Sequence, residues 1–189
     1  MEAGWRAPLL LLLAASLWPG CKKPPPPPAG ADDDVPNLFE VDTRVWRSGQ
    51  PSTPAQWQRL KDLGVRHVVK LNFESEGTDD GARTAGLDVH VLSIQPEGDK
   101  DVLDGVRGTF VAPDPAKLAE AERVLAAGGG VLIHCTHGHD RTGLVVGMHR
   151  VMHDGWTKDA AYREMIEKHF HPDLHGLHEF WEKFDGKLQ

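Results

Sequence analysis

A chain of 189 residues, 40% hydrophobic and 26% charged, has the size and composition of one globular domain around a single core. Its formal charge of -7 leaves no basic footprint for nucleic acid. Any anionic ligand must therefore be held by positive charge gathered at one place.

At the N-terminus, Arg6 precedes an apolar run, Leu9 to Trp18, that is too short for a bilayer span and suits the hydrophobic region of an export signal. The following Leu17-Trp18-Pro19-Gly20-Cys21 resembles the lipobox of bacterial lipoproteins, where a small residue precedes a cysteine that is lipidated and becomes the mature N-terminus. A signal peptide is expected over 1–20, and the resemblance implies a lipid anchor on Cys21. A plain secretory signal is the alternative. Pro24 to Pro28 forms a stiff extended spacer and Ala29 to Asp34 adds small and acidic residues, so 21–35 reads as a tether. The globular domain is expected over 36–189. With Cys21 lipidated, Cys135 is the one remaining cysteine and no internal disulfide forms.

From Val35 the pattern becomes globular. Val45-Trp46-Arg47-Ser48 predicts a short strand ended by a turn through Gly49-Gln50-Pro51, and Pro54 to Leu63 predicts a helix capped by Thr53. Gly64 stops that helix. His67 to Leu71 and Asp88 to Leu92 read as strands with a turn or short helix between them. Ser93 to Ala112 has no clear period, carries Glu97, Asp99, Asp101 and Asp104, and is longer than an ordinary connection. A helix opened by Asp114 and Pro115 runs to Ala127, Gly128 to Gly130 end it, and Val131 to Ile133 forms a buried strand. Helices are expected over Gly143 to His153, Lys158 to His169 and Pro172 to Phe184, the last capped by His171. The alternation predicts an α/β fold, with a mostly parallel sheet of about four or five strands flanked by helices.

Between the last strand and the next helix stands Val131-Leu132-Ile133-His134-Cys135-Thr136-His137-Gly138-His139-Asp140-Arg141-Thr142-Gly143. Open α/β sheets bind ligands at such a strand-to-helix loop, where unpaired N–H groups and the positive end of a helix dipole favour an oxyanion. Gly138 permits a backbone conformation that other residues resist. The same field lowers a thiol pKa from its usual value of about 8.5, which makes Cys135 a candidate nucleophile. Arg141 can return along the loop to bind two phosphoryl oxygens, and Thr142 can hydrogen-bond the sulfur.

His134-Cys135, five residues, then Arg141-Thr142 resembles the signature of the cysteine-based protein tyrosine and dual-specificity phosphatases. Trp46-Arg47-Ser48-Gly49-Gln50-Pro51 and Val68-Val69-Lys70-Leu71-Asn72 are similar to the opening of the compact plant and fungal type of that family. The resemblance implies metal-free hydrolysis of phosphate monoesters, without a cofactor, through a cysteinyl-phosphate. Cys135 would attack phosphorus, and Thr136, His137, Gly138, His139 and Thr142 would line the substrate site. The general acid is either Asp140, which stands before Arg141 as in a bacterial subgroup, or an aspartate on the unpatterned loop, Asp104 or Asp101. His134 is expected to orient the loop. His137 and His139 crowd one tight loop and suit a phosphate rim better than a metal. His171, His175 and His178 read as one solvated helical face, and solvation is the default for Arg47, Lys70 and Arg83.

The expected partner is a phosphorylated protein or a small phosphorylated substrate such as an inositol phosphate. A sulfurtransferase of rhodanese type also sets a reactive cysteine on an anion loop, but does not require Arg141-Thr142 leading into a helix. A non-catalytic binder of phosphorylated ligands has no need to keep the thiol.

Overall fold

The computed structural model describes residues 34–95 and 112–188. The expected export signal, residues 21–33 of the expected tether with Cys21, and both Asp101 and Asp104 lie outside the described residues. Five strands form one sheet: β1 (Phe39–Asp42), β2 (Val45–Ser48), β3 (His67–Lys70), β4 (Asp88–Val91) and β5 (Val131–His134). The helices are α1 (Pro54–Asp62), α2 (Asp80–Thr84), α3 (Pro115–Ala127), α4 (Asp140–Met152), α5 (Lys158–Glu167) and α6 (His175–Lys183), with a 3₁₀ turn at Glu74–Glu76. The strand order is β1-β2-β5-β3-β4, antiparallel at β1–β2 and parallel elsewhere. The α/β fold with a mostly parallel sheet is thus as expected, and β5 occupies its centre.

A central strand covered on both faces must be apolar on both, which is why Val131, Leu132 and Ile133 run without a polar interruption. Alternation along the strand sends Val131 and Ile133 into a large core with α3, α4, α5 and α6, and Leu132 into a smaller one with Trp57 of α1 and Ala82 of α2. All three are fully buried, worth about 1.5–3 kcal/mol each. The entry of β5 is pinned by Gly130. Its carbonyl accepts from Arg66 and His67 N–H at 2.7 and 3.0 Å, and its φ of 99° and a Cβ site 2.0 Å from Gly64 O exclude any side chain.

Several boundaries differ from expectation. β1 has no signature in the sequence because only Val41 of its four residues is buried. α4 begins at Asp140, three residues before Gly143: Asp-Arg-Thr reads as loop, yet an acidic side chain in the first turn complements the helix dipole. α6 begins at His175 with Leu174 at its cap, so His171 does not cap it and does not share its face. Among the described residues no helix is long and apolar enough to cross a membrane.

Candidate active site

The loop from Cys135 to His139 joins the C-terminal end of β5 to α4, and its carbonyls are taken by donors from outside. Gln50 N–H donates to Thr136 O at 3.1 Å, Asn37 Nδ2 to His137 O at 2.9 Å, Arg47 Nη2 to Gly138 O at 2.8 Å and Gly143 N–H to His139 O at 2.7 Å. With its carbonyls anchored outward, the loop is left to present its amides inward, the arrangement of an anion nest. One amide is already so used: Gly138 N–H points at Cys135 Sγ, 3.3 Å away. Gly138 has a φ of 78°, and a Cβ there would fall 2.5 Å from Ser48 C and O. Only glycine lets the loop lie against the end of β2.

Cys135 is 3% exposed and opens on a cavity of about 220 Å³, shared with Glu76, Thr136, His137, Asp140, Arg141, Leu174 and Leu177. Arg141 reaches it from the first turn of α4. Its Nη1 and Nη2 donate to Glu76 Oε2 and Oε1 at 2.8 and 2.7 Å, a bidentate pair, while Nη2 also donates to Thr136 Oγ1 at 2.9 Å and Nη1 to Ile94 O at 3.4 Å. Those contacts occupy the four Nη hydrogens and leave the Nε edge. A phosphoryl group using Nε and Nη2 together therefore has to displace the Thr136 hydroxyl, which itself donates to Glu76 at 2.7 Å.

Glu76 was not foreseen. The hydrogen bonds from Arg141 hold its carboxyl down to about 2, helped by those from Phe73 N–H and Thr136, against a burial effect that raises it. Because the folded value lies below the ordinary 4.5, the stability it contributes is complete above about pH 4.5 and is lost as pH falls toward 2. Replacing Glu76 by Gln is expected to lower kcat/KM about 10–100-fold, since a guanidinium misplaced by an ångström loses that much. The loss is level between pH 5 and 8, and denaturation curves of the two proteins draw together as pH falls from about 4.5 and converge toward about pH 2.

Behind the loop is a second layer. Asp79 and Lys70 are both fully buried, with Lys70 Nζ 3.5 Å from Asp79 Oδ1. Lys70 donates to Gly77 O at 2.5 Å and Gln50 Oε1 at 3.1 Å, while Asp79 bonds His134 Nε2 at 3.0 Å and Gln50 Nε2 at 2.8 Å. Burial raises the Asp79 carboxyl, but the bonds and charge of His134, the Gln50 bond and the Lys70 charge together hold it below its usual value. His134 thus anchors through Asp79, and Lys70 is no solvated cation. Arg47 is likewise buried rather than solvated. Desolvation lowers its guanidinium pKa while the charges of Glu164 and Cys135 raise it, so it adds positive potential under the loop. Arg83, 45% exposed, is solvated as expected.

The other site residues divide. Asp140 lines the cavity, its Oδ1 accepting from His171 N–H and Nδ1 at 2.8 and 2.9 Å. His139 stands within 5.1 to 6.3 Å of the His137, His169 and His171 rings, a histidine rim. Desolvation and three like charges lower its pKa, against Asp140. Thr142 does not hydrogen-bond the sulfur: its hydroxyl is buried without a partner, and the Gly138 amide occupies that role.

The dual specificity protein phosphatase TpbA of Pseudomonas aeruginosa is 34% identical over 133 residues, 68% of this chain and 53% of TpbA, so the match spans about half the length of that relative. The crystal structure of P. aeruginosa TpbA superposes with a TM-score of 0.62 at 27% identity, covering 80% of this chain and 86% of that one. A Cys-to-Ser form of TpbA in complex with pTyr gives 0.62 at 26% identity over 79% and 85%. The catalytic core of Siw14, at 20% identity and a TM-score of 0.62 over 79% and 85%, shares the fold. The tyrosine phosphatase family model matches residues 41–152, from the first strand to the end of the helix behind Arg141, and the chain belongs to that family.

Proposed function

We propose that this domain hydrolyses phosphate monoesters through a cysteinyl-phosphate, with phosphotyrosine-type aryl esters as the leading substrate class, ahead of phosphoserine or phosphothreonine proteins and inositol phosphates. The observation that carries the reading is the pairing of the Cys135 sulfur with an inward Gly138 amide at 3.3 Å, facing Arg141 across one cavity. Sulfur attacks phosphorus as the ester P–O bond breaks, and the leaving oxygen takes a proton from Asp140. The loop amides and Arg141 hold the three equatorial oxygens, where negative charge gathers. Water then attacks phosphorus, the S–P bond breaks, Asp140 recovers its proton, and phosphate leaves. Leu174 and Leu177 supply the apolar wall against which an aryl group packs.

Phosphate release by the full chain from a phosphotyrosine peptide, a phosphoserine peptide and an inositol phosphate, with chelator present, tests this. The aryl ester is expected to be fastest; absence of release from all three overturns the reading, and thiosulfate-to-cyanide transfer in the same preparation favours a sulfurtransferase. Asp140→Asn is expected to cost about 10²–10⁴-fold on an alkyl phosphate and little on p-nitrophenyl phosphate, whose leaving group needs no proton. Equal loss on both moves the acid to another residue, with Asp104 next in line.

The domain is further proposed to be exported and lipid-anchored at Cys21, on the strength of the Leu9 to Trp18 run, the Gly20-Cys21 junction and the proline spacer. Cys21→Ser is expected to move the protein from the detergent phase to the aqueous phase, and an unchanged partition overturns the anchor.

A further inference from the structure

The far end of α4 carries a group of side chains that phosphoryl chemistry does not use. His149 and His153 are four residues apart, which sets both imidazoles on one face, and Glu122 reaches them from α3. Glu122 Oε2 lies 3.1 Å from His149 Nδ1 and 3.6 Å from His153 Nε2, and the three residues bring one donor atom each within 4.8 Å of the others. Around a tetrahedral zinc ion with ligands at about 2.0–2.2 Å, neighbouring donor atoms stand about 3.3–3.5 Å apart. The distances of 3.1 and 3.6 Å bracket that edge.

Burial makes the arrangement costly without a cation. The side chains of Glu122 and His149 are 3% and 5% exposed, and Glu122 Oε1 is buried with no hydrogen-bond partner. A buried carboxylate oxygen left unpaired is destabilising. His153, 38% exposed, leaves one side open to solvent, through which an ion can arrive and a water can complete the coordination.

We propose that Glu122, His149 and His153 bind one divalent transition-metal ion of the zinc class, which ties α3 to α4. Two imidazoles and one carboxylate suit zinc and its neighbours rather than magnesium or calcium, which prefer all-oxygen sites. The ion takes the place of the hydrogen bond between Glu122 and His149 and leaves the chemistry at the other end of α4 metal-free. Among the described residues the other group of this kind is His67, Asp88 and His90, where Asp88 is 64% exposed.

The test uses the metal-stripped full chain carrying Cys135→Ser, so that the Cys135 sulfur does not compete. Titration with zinc ion by calorimetry is expected to show a site filled by about one equivalent, and saturating zinc to raise the unfolding midpoint by about 5 °C. His153→Ala, at a partly exposed position that does not hold the core, and Glu122→Gln are each expected to lower the affinity at least about tenfold and remove the shift. His67→Ala is expected to change neither. Failure to bind zinc, a shift that survives His153→Ala with the far-UV spectrum intact, or a loss produced by His67→Ala instead overturns the assignment.

Discussion

Cys135→Ser is expected to lower kcat by about 10⁴-fold or more while a phosphotyrosine peptide still binds. The substitution is nearly isosteric at a position only 3% exposed, so the outward bonds of the loop carbonyls and the Arg141–Glu76 pair stay in place. What is lost is the proposed nucleophile: a serine hydroxyl is far less acidic than a thiol and stays un-ionised, and removing the attacking atom leaves only binding and oxyanion stabilisation. Arg141→Lys is expected to cost about 10²–10³-fold in kcat/KM by a different route. A lysine is a point charge that cannot serve Glu76 and a phosphoryl group at once, so peptide affinity falls with turnover. Steady-state kinetics on p-nitrophenyl phosphate and calorimetric titration with the peptide separate the two. A serine variant retaining more than about 1% of the wild-type rate ends the cysteinyl mechanism.

The parts of this site that were legible in sequence are those set by local chain geometry. An apolar strand, a cysteine, a glycine and an arginine within eleven residues define a strand-to-helix oxyanion loop without any knowledge of the rest of the fold. The central place of β5 and the parallel sheet follow from the same local patterns. The supporting residues were not legible, because their roles exist only across the fold. Glu76 meets Arg141 from 65 residues away and Asp79 meets His134 from 55, each on a short irregular stretch where an acidic side chain looks solvated. Lys70 and Arg47 sit in strands where a charge usually marks the exposed face, and burial reverses that reading only once the partners are known. Thr142 shows the opposite error. Its distance along the chain suits the sulfur, but helix α4 begins early enough to turn its hydroxyl into the core.

The buried layer beneath the loop carries the largest expected change in stability. Asp79→Asn keeps the shape and removes the charge, leaving the Lys70 ammonium, fully buried, with only neutral oxygens for partners. Breaking one side of a buried pair in this way costs about 3–5 kcal/mol, which for a domain of this size lowers the thermal midpoint by roughly 10 °C. The double variant Lys70→Met/Asp79→Asn is expected to recover much of that loss, because it removes the orphaned charge as well. The pH dependence has a definite sign. The Asp79 carboxyl lies below its ordinary value in the fold, so its contribution is complete well above about pH 4 and is lost as pH falls through the folded value. The gap between wild type and Asp79→Asn should therefore be full at pH 7 and shrink below about pH 4. Activity is expected to fall with stability, since Asp79 holds both His134, next to Cys135, and Gln50, whose N–H anchors Thr136 O. Denaturant unfolding of the three proteins at pH 7 and pH 3.5 measures each term. A single variant as stable as wild type at pH 7, or a double variant weaker than Asp79→Asn, removes the buried pair from the account of how the loop is held.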